Sequence, residues 1–124
     1  MRKLMMVAAL VVVMVPLLGA AAFAADQLIQ CRTIPCYGTG NNDKIYERIG
    51  RGKPDKIIAR GGYDLILANK YGHDTDVVKG GKGWDKINVR DNDPYDTAGG
   101  GKGRHDWCIV DANSELTASC ERVN

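Results

Sequence analysis

Gly80-Gly81-Lys82-Gly83-Trp84-Asp85-Lys86-Ile87-Asn88 decides how this chain folds. A glycine-rich six-residue loop closes on an aspartate, and three residues follow whose middle member is apolar. Side chains alternate along an extended segment, so Ile87 points one way and Lys86 and Asn88 the other. The same arrangement recurs 21 residues to either side. Loops closed by Asp43, Asp64, Asp85 and Asp106 lead two places later to Ile45, Ile66, Ile87 and Cys108. A second set, closed by Asp55, Asp76 and Asp96, is spaced 21 and 20 residues and leads to Ile57, Val78 and Ala98. A fixed period of this length marks a chain that coils, one supersecondary unit stacking on the next. The expected fold is an all-β solenoid, with the first set on one face, the second opposite, and a narrow stack of Ile and Val between them.

Composition sets the conditions for such a core. Met1-Arg2-Lys3, the apolar run Leu4–Leu18 and Ala22-Phe23-Ala24 have the order of a secretory signal peptide over residues 1–24. Pro16 and the small-residue cleavage motif favour removal over retention as a membrane anchor. The remaining single domain, residues 25–124, has 15 basic and 15 acidic residues once Arg2 and Lys3 are gone. That balance gives no support to a nucleic-acid or anionic-membrane partner. Leu, Ile and Val supply only 18 of its 100 residues, few for a chain that must bury a core. Staples are therefore required, and Cys31, Cys36, Cys108 and Cys120 lie in the exported part, where disulfides persist. Of the three connectivities, 31–36 with 108–120 is the local one. It closes a cap of Val110, Leu116 and Val123 over the last rung, since a solenoid must cover both ends. No cysteine orders the residues between Cys36 and Cys108.

The quoted stretch also matches the nonapeptide G-G-x-G-x-D-x-U-x at every fixed position, the repeat through which RTX proteins bind calcium. From about Cys36 to Asp111 the chain resembles small secreted bacterial proteins with haemolysin-type (RTX-like) calcium-binding repeats. The resemblance implies a right-handed parallel β-roll, two repeats per turn, with calcium between loops stacked one turn apart. Two departures stand out. Extra residues precede the second-face loops, around Glu47-Arg48-Ile49 and Ala68-Asn69-Lys70, and the export signal is N-terminal.

Calcium takes six to eight oxygens from carboxylates and carbonyls in a flexible shell, and glycine lets a loop turn its carbonyls to one point. On the first face the expected metal residues are Asp43, Asp64, Gly80, Gly81, Gly83, Asp85 and Asp106, with the slots beside Asp85 best. On the second face they are Asp74, Asp76, Asp91, Asp93 and Asp96, expected to share one inter-turn slot. The slot at Asp55 is poorest, crowded by Arg51, Lys53 and Lys56. The competing reading is that these aspartates cap backbone amides with no ion. Asp91-Asn92-Asp93 lacks the glycine and glutamate of an EF-hand. His73 and His105 fall on opposite faces with no third nitrogen for a zinc site. Tyr63, Trp84 and His105 occupy one loop position on successive turns, an aromatic ladder or a binding stripe. The expectation is a secreted, monomeric, non-enzymatic calcium-binding protein. Its alternative is an extracellular adhesion or glycan-binding module using Tyr63 and Trp84.

Overall fold

The computed structural model describes residues 26–48, 50, 53–117 and 119–124. The signal peptide expected over residues 1–24 lies outside them. In chain order the strands are β1 (Gln27–Gln30), β2 (Cys36–Tyr37), β3 (Asp43–Tyr46), β4 (Lys56–Gly62) and β5 (Leu65–Leu67). They continue as β6 (Val77–Gly83), β7 (Lys86–Asn88), β8 (Thr97–Gly103), β9 (Trp107–Ile109) and β10 (Arg122–Val123). One sheet has the order β1-β3-β5-β7-β9-β10 and the other β2-β4-β6-β8. From β1 to β9 the chain alternates between the sheets, and every pairing is parallel, giving an all-β solenoid of about three turns. No described helix is long and apolar enough to cross a membrane.

The register is the one the period calls for. Ile45, Ile66, Ile87 and Cys108 stand in one column, and Ile57, Val78 and Ala98 in the facing one. All seven are fully buried. Full burial of a Val or Ile side chain stabilises by roughly 1.5–3 kcal/mol, which makes this narrow stack the main apolar support of the fold. Two residues further along the first sheet a further inward column carries Ala68, Val89 and Val110.

The second-sheet strands are longer than the three residues expected. β4, β6 and β8 run seven residues, through the glycine loops, pairing Arg60 with Gly81 and Gly101, and Gly62 with Gly83 and Gly103. With almost no side chain in the way, successive loops approach backbone to backbone. A Cβ on Gly83 would fall on the carbonyl oxygen of Gly62, and one on Gly81 on that of Arg60. Gly81 and Gly83 also hold φ of 116° and 133°, where only glycine sits without strain.

Disulfides join Cys31 to Cys36 and Cys108 to Cys120. The N-terminal end starts earlier than the repeats suggested, because β1 adds a rung beside β3. At the other end Val110 is buried and Leu116 packs on the core while bridging to Ala98. Val123 was expected in this cap but is 43% exposed. β10 pairs it with the inward-facing Cys108 as the last strand of the sheet, so no further described strand covers it.

Candidate metal centre

Each turn has two corners where an aspartate enters the interior just before a strand. At the first corner the aspartates form a ladder. Asp64 Oδ1 accepts the Asp43 N–H at 2.8 Å, Asp85 Oδ1 that of Asp64 at 3.0 Å, and Asp106 Oδ1 that of Asp85 at 2.8 Å. Glu121 Oε2 ends the series on the Asp106 N–H at 2.7 Å. One oxygen each of Asp64, Asp85 and Asp106 is thus committed to the amide of the turn before, as the amide-capping alternative required. Asp43 differs, accepting the Thr39 N–H on Oδ2 at 2.6 Å and the Thr39 hydroxyl on Oδ1 at 3.0 Å. Oδ2 of Asp64, Asp85 and Asp106 is buried without a hydrogen-bond partner. In Asp85 it is aimed at the inside of its own loop, so that a Cβ on Gly80 would strike it. Burial, then neighbouring carboxylates, push Asp64 up to about 7 and Asp85 up to about 6. Asp106 is raised too, by burial first.

The second corner begins in the same way. Asp76 Oδ1 accepts the Asp55 N–H at 2.7 Å and Asp96 Oδ1 that of Asp76 at 2.8 Å. Asp55 itself is neutralised, as its poor slot suggested, but by a different cation. Arg48 donates its N–H to Asp55 Oδ2 at 2.8 Å and sets Nε 3.5 Å from Oδ1. Lys53 and Lys56 are exposed, and Arg51 lies outside the described residues.

What sequence reasoning missed is Glu47. Its N–H bonds the Leu67 carbonyl at 3.0 Å, as the Ala68 N–H bonds that of Asn88 at 2.9 Å. Glu47 therefore occupies the inward column that later turns fill with Ala68, Val89 and Val110. The signal was available: Glu47 stands 21 residues before Ala68 and two after Ile45. Its side chain reaches Asp74 and Asp76, and one carboxylate oxygen of each lies within 4.8 Å of the others. All three residues are buried. Glu47 Oε1 accepts the Lys70 N–H, but Glu47 Oε2, Asp74 Oδ1 and Asp76 Oδ2 have no partner. Burial, opposed by the Lys70 amide and reinforced by Asp76, Asp74 and Asp55, pushes Glu47 up to about 7. Burial, reinforced by Asp74, Asp55 and Asp91, pushes Asp76 up to about 7, and burial with Asp55 and Asp93 raises Asp74.

The slot expected from Asp74, Asp76, Asp91, Asp93 and Asp96 is thereby divided. Asp74 and Asp76 converge on Glu47. Asp91, Asp93 and Asp96 do not close to the same distance, and no other trio of acidic, His or Cys side chains does so among the described residues. Asp91-Asn92-Asp93 is a turn held by its own side chains, with the Asp93 N–H on Asp91 Oδ1 at 2.9 Å. Asp111 Oδ2 receives both the Asp91 and Asn92 N–H groups at 2.8 Å. Asp91 Oδ2 and Asp96 Oδ2 stay unpartnered. Burial and neighbouring acids push Asp96 up to about 8 and Asp91 up to about 6.

The donor set fits a hard cation. Three carboxylates with orphaned, buried oxygens and no nitrogen or sulfur among them suit calcium, or less well magnesium. Leaving such groups charged and unpaired is strongly unfavourable, so they either share protons or bind a cation. Comparison with known protein families, curated proteins and solved structures finds no match to this chain.

Proposed function

We propose that this is a secreted, non-enzymatic calcium-binding β-solenoid of the haemolysin-type (RTX-like) repeat kind, in which calcium completes the fold. The observation that carries the reading is the convergence of Glu47, Asp74 and Asp76 with three partnerless buried oxygens. These would be the principal ligands, with Asp91, Asp93 and Asp96 one turn below and Asp64, Asp85 and Asp106 at the other corner as weaker ones. Bound calcium supplies the positive charge that the two acidic columns lack. Each ion held by the folded state alone stabilises it by about 2.7 kcal/mol at a hundred times its dissociation constant. Extracellular modules reach this with dissociation constants of roughly 0.1–1 mM. The two disulfides suit an oxidising compartment and support secretion.

A second reading, an adhesion or glycan-binding module, is favoured by the exposed stack of Tyr63, Trp84 and His105. Their ring centroids lie 5.5 Å and 5.0 Å apart. Far-UV circular dichroism of the mature protein during calcium titration tests the first reading. Chelated at pH 8, the chain should be largely disordered between its capped ends and gain β signal as calcium is added, with magnesium a poor substitute. An unchanged spectrum and melting temperature under chelator would replace it with a metal-free solenoid.

A further inference from the structure

Formal neutrality hides how the charges of this chain are sorted. Eleven acidic residues are buried, and among the described residues no lysine or arginine is. The acids line the corners; the bases point outward. They are densest on the outer face of the second sheet, where an open groove of about 490 Å³ runs across β4, β6 and β8. Its floor is backbone at Gly81, Gly99 and Gly101, and Arg60, Lys79, Lys82 and Lys102 supply its charge. No acid lines it. The only ion pair among the described residues is Arg48–Asp55, so none of these four cations is neutralised by a carboxylate. Lys82 and Lys102 are in register on adjacent strands, about 4.8 Å apart at the backbone. Thr117 and Ser119 add hydroxyls at the far end.

We propose that this groove binds a linear acidic polysaccharide, with its carboxylate or sulfate groups on Arg60, Lys79, Lys82 and Lys102. The site goes beyond the calcium reading and belongs to the outer face of the fold, not to its corners. Charge complementarity names an anionic occupant. The ladder names an extended one, because a pyranose residue spans about one strand spacing, ~4.8 Å. The glycine floor projects no side chains and leaves a flat, shallow bed that sugar rings can lie against. Nucleic acid fits less well: bases need exposed aromatic faces to stack on, and no described aromatic residue lines this groove. A bilayer fits less well too, since insertion needs projecting apolar side chains and Ile58, the apolar lining residue, is half-buried.

The test is titration calorimetry of the mature protein in calcium, with chondroitin sulfate as probe and neutral dextran as control. Lys79→Ala/Lys82→Ala/Lys102→Ala should weaken binding roughly tenfold or more. Lys44→Ala/Lys86→Ala/Arg122→Ala removes the same charge from the outside of the first sheet and should cost less than about twofold. Circular dichroism establishes that each variant is folded. If the first triple variant loses its β signal, Lys82→Gln/Lys102→Gln replaces it, and unchanged affinity there overturns the proposal. It is also overturned by equal losses in the two triple variants, by no binding of chondroitin sulfate, or by tighter binding of phosphatidylglycerol vesicles or single-stranded DNA. Failure of the calcium reading would appear in the dichroism titration and not in the contrast between faces.

Discussion

The two corners of the solenoid are built from the same device and end in different places. At the first, the 21-residue period is unbroken, and each aspartate hands one oxygen to the amide of the turn before. Its leftover oxygens are spread one per loop. At the second, Glu47 stands in register with Ala68, Val89 and Val110, in a column that is otherwise apolar, and three leftover oxygens meet. Regular repetition produces scaffold, because every rung satisfies its neighbour. A carboxylate in a regular but otherwise apolar column concentrates unsatisfied charge, and that is where an ion gains most.

Ile66→Asp is the harshest way to break both corners together. Ile66 is fully buried between Ile45 and Ile87, and an isolated carboxylate there costs more than a domain of this size holds in reserve. The expected result is no cooperative thermal transition at any calcium concentration. A folded, calcium-responsive variant would mean the inward register is wrong.

The contrast itself is sharpened by Asp85→Ala against Glu47→Gln. Removing the Asp85 carboxylate strips the buried Asp64 amide of its acceptor, at a cost of about 1–3 kcal/mol. That loss should appear in denaturant melts with saturating calcium at pH 8, and in the calcium-free protein at pH 5, where protons neutralise the buried acids. Glu47→Gln keeps an oxygen for the Lys70 amide and removes a buried charge. It should leave the metal-free protein at least as stable while lowering calcium affinity roughly tenfold or more. Equal effects on calcium from both variants would erase the distinction between scaffold corner and site corner.

Much of this was legible beforehand, for a physical reason. The inward column from Ile45 to Cys108 and the two sets of aspartates follow from the period alone, since stacking forces one residue type to recur at one place. Local disulfides at the ends follow from the same geometry. Glu47 was hidden because it lies among the extra residues before a second-face loop, outside the six-residue loop and three-residue strand that define the repeat. The Arg48–Asp55 pair was hidden likewise, being seven residues apart around a loop. β1 could not be seen, as Gln27–Gln30 carries no loop and no aspartate and is defined only by its partner β3. The seven-residue strands of the second sheet escaped notice because glycine is a poor strand former. Here close stacking selects it.

Acidity gives a smaller and reversible handle on the second corner. Metal-free, Glu47 and Asp76 rise to about 7 and Asp96 to about 8, whereas unfolded carboxylates titrate near ~4. The folded state therefore binds protons more tightly than the unfolded chain. Their contribution is fully present below about pH 4 and is lost as pH rises through roughly 6 to 8. The chelated protein should melt higher at pH 5 than at pH 8. Protons and calcium compete for the same oxygens, so the rise in melting temperature on adding calcium should grow over that interval. A chelated protein whose melting temperature climbs with pH would show that these acids are paired in some other way.

The mildest test lies outside both corners, on the aromatic stack. Tyr63 and Trp84 are 60% and 54% exposed, so their contact adds little burial. Aromatic pairs contribute about 0.5–1.5 kcal/mol beyond area, and Trp84 makes two, a tilted one with Tyr63 and an edge-on one with His105. Trp84→Ala should therefore lower stability by about 1–2 kcal/mol, while calcium affinity stays within about twofold because no metal-bearing carboxylate loses a hydrogen bond. The neighbouring Tyr63 stays anchored to the turn before it, where Asn42 Oδ1 accepts the Tyr63 N–H at 2.8 Å. A stack that serves only to stiffen the loops behaves in this way. If Trp84→Ala leaves the denaturant midpoint untouched and abolishes retention on a glycan column, the ladder is a binding surface, and its order has been kept for a partner and not for the fold.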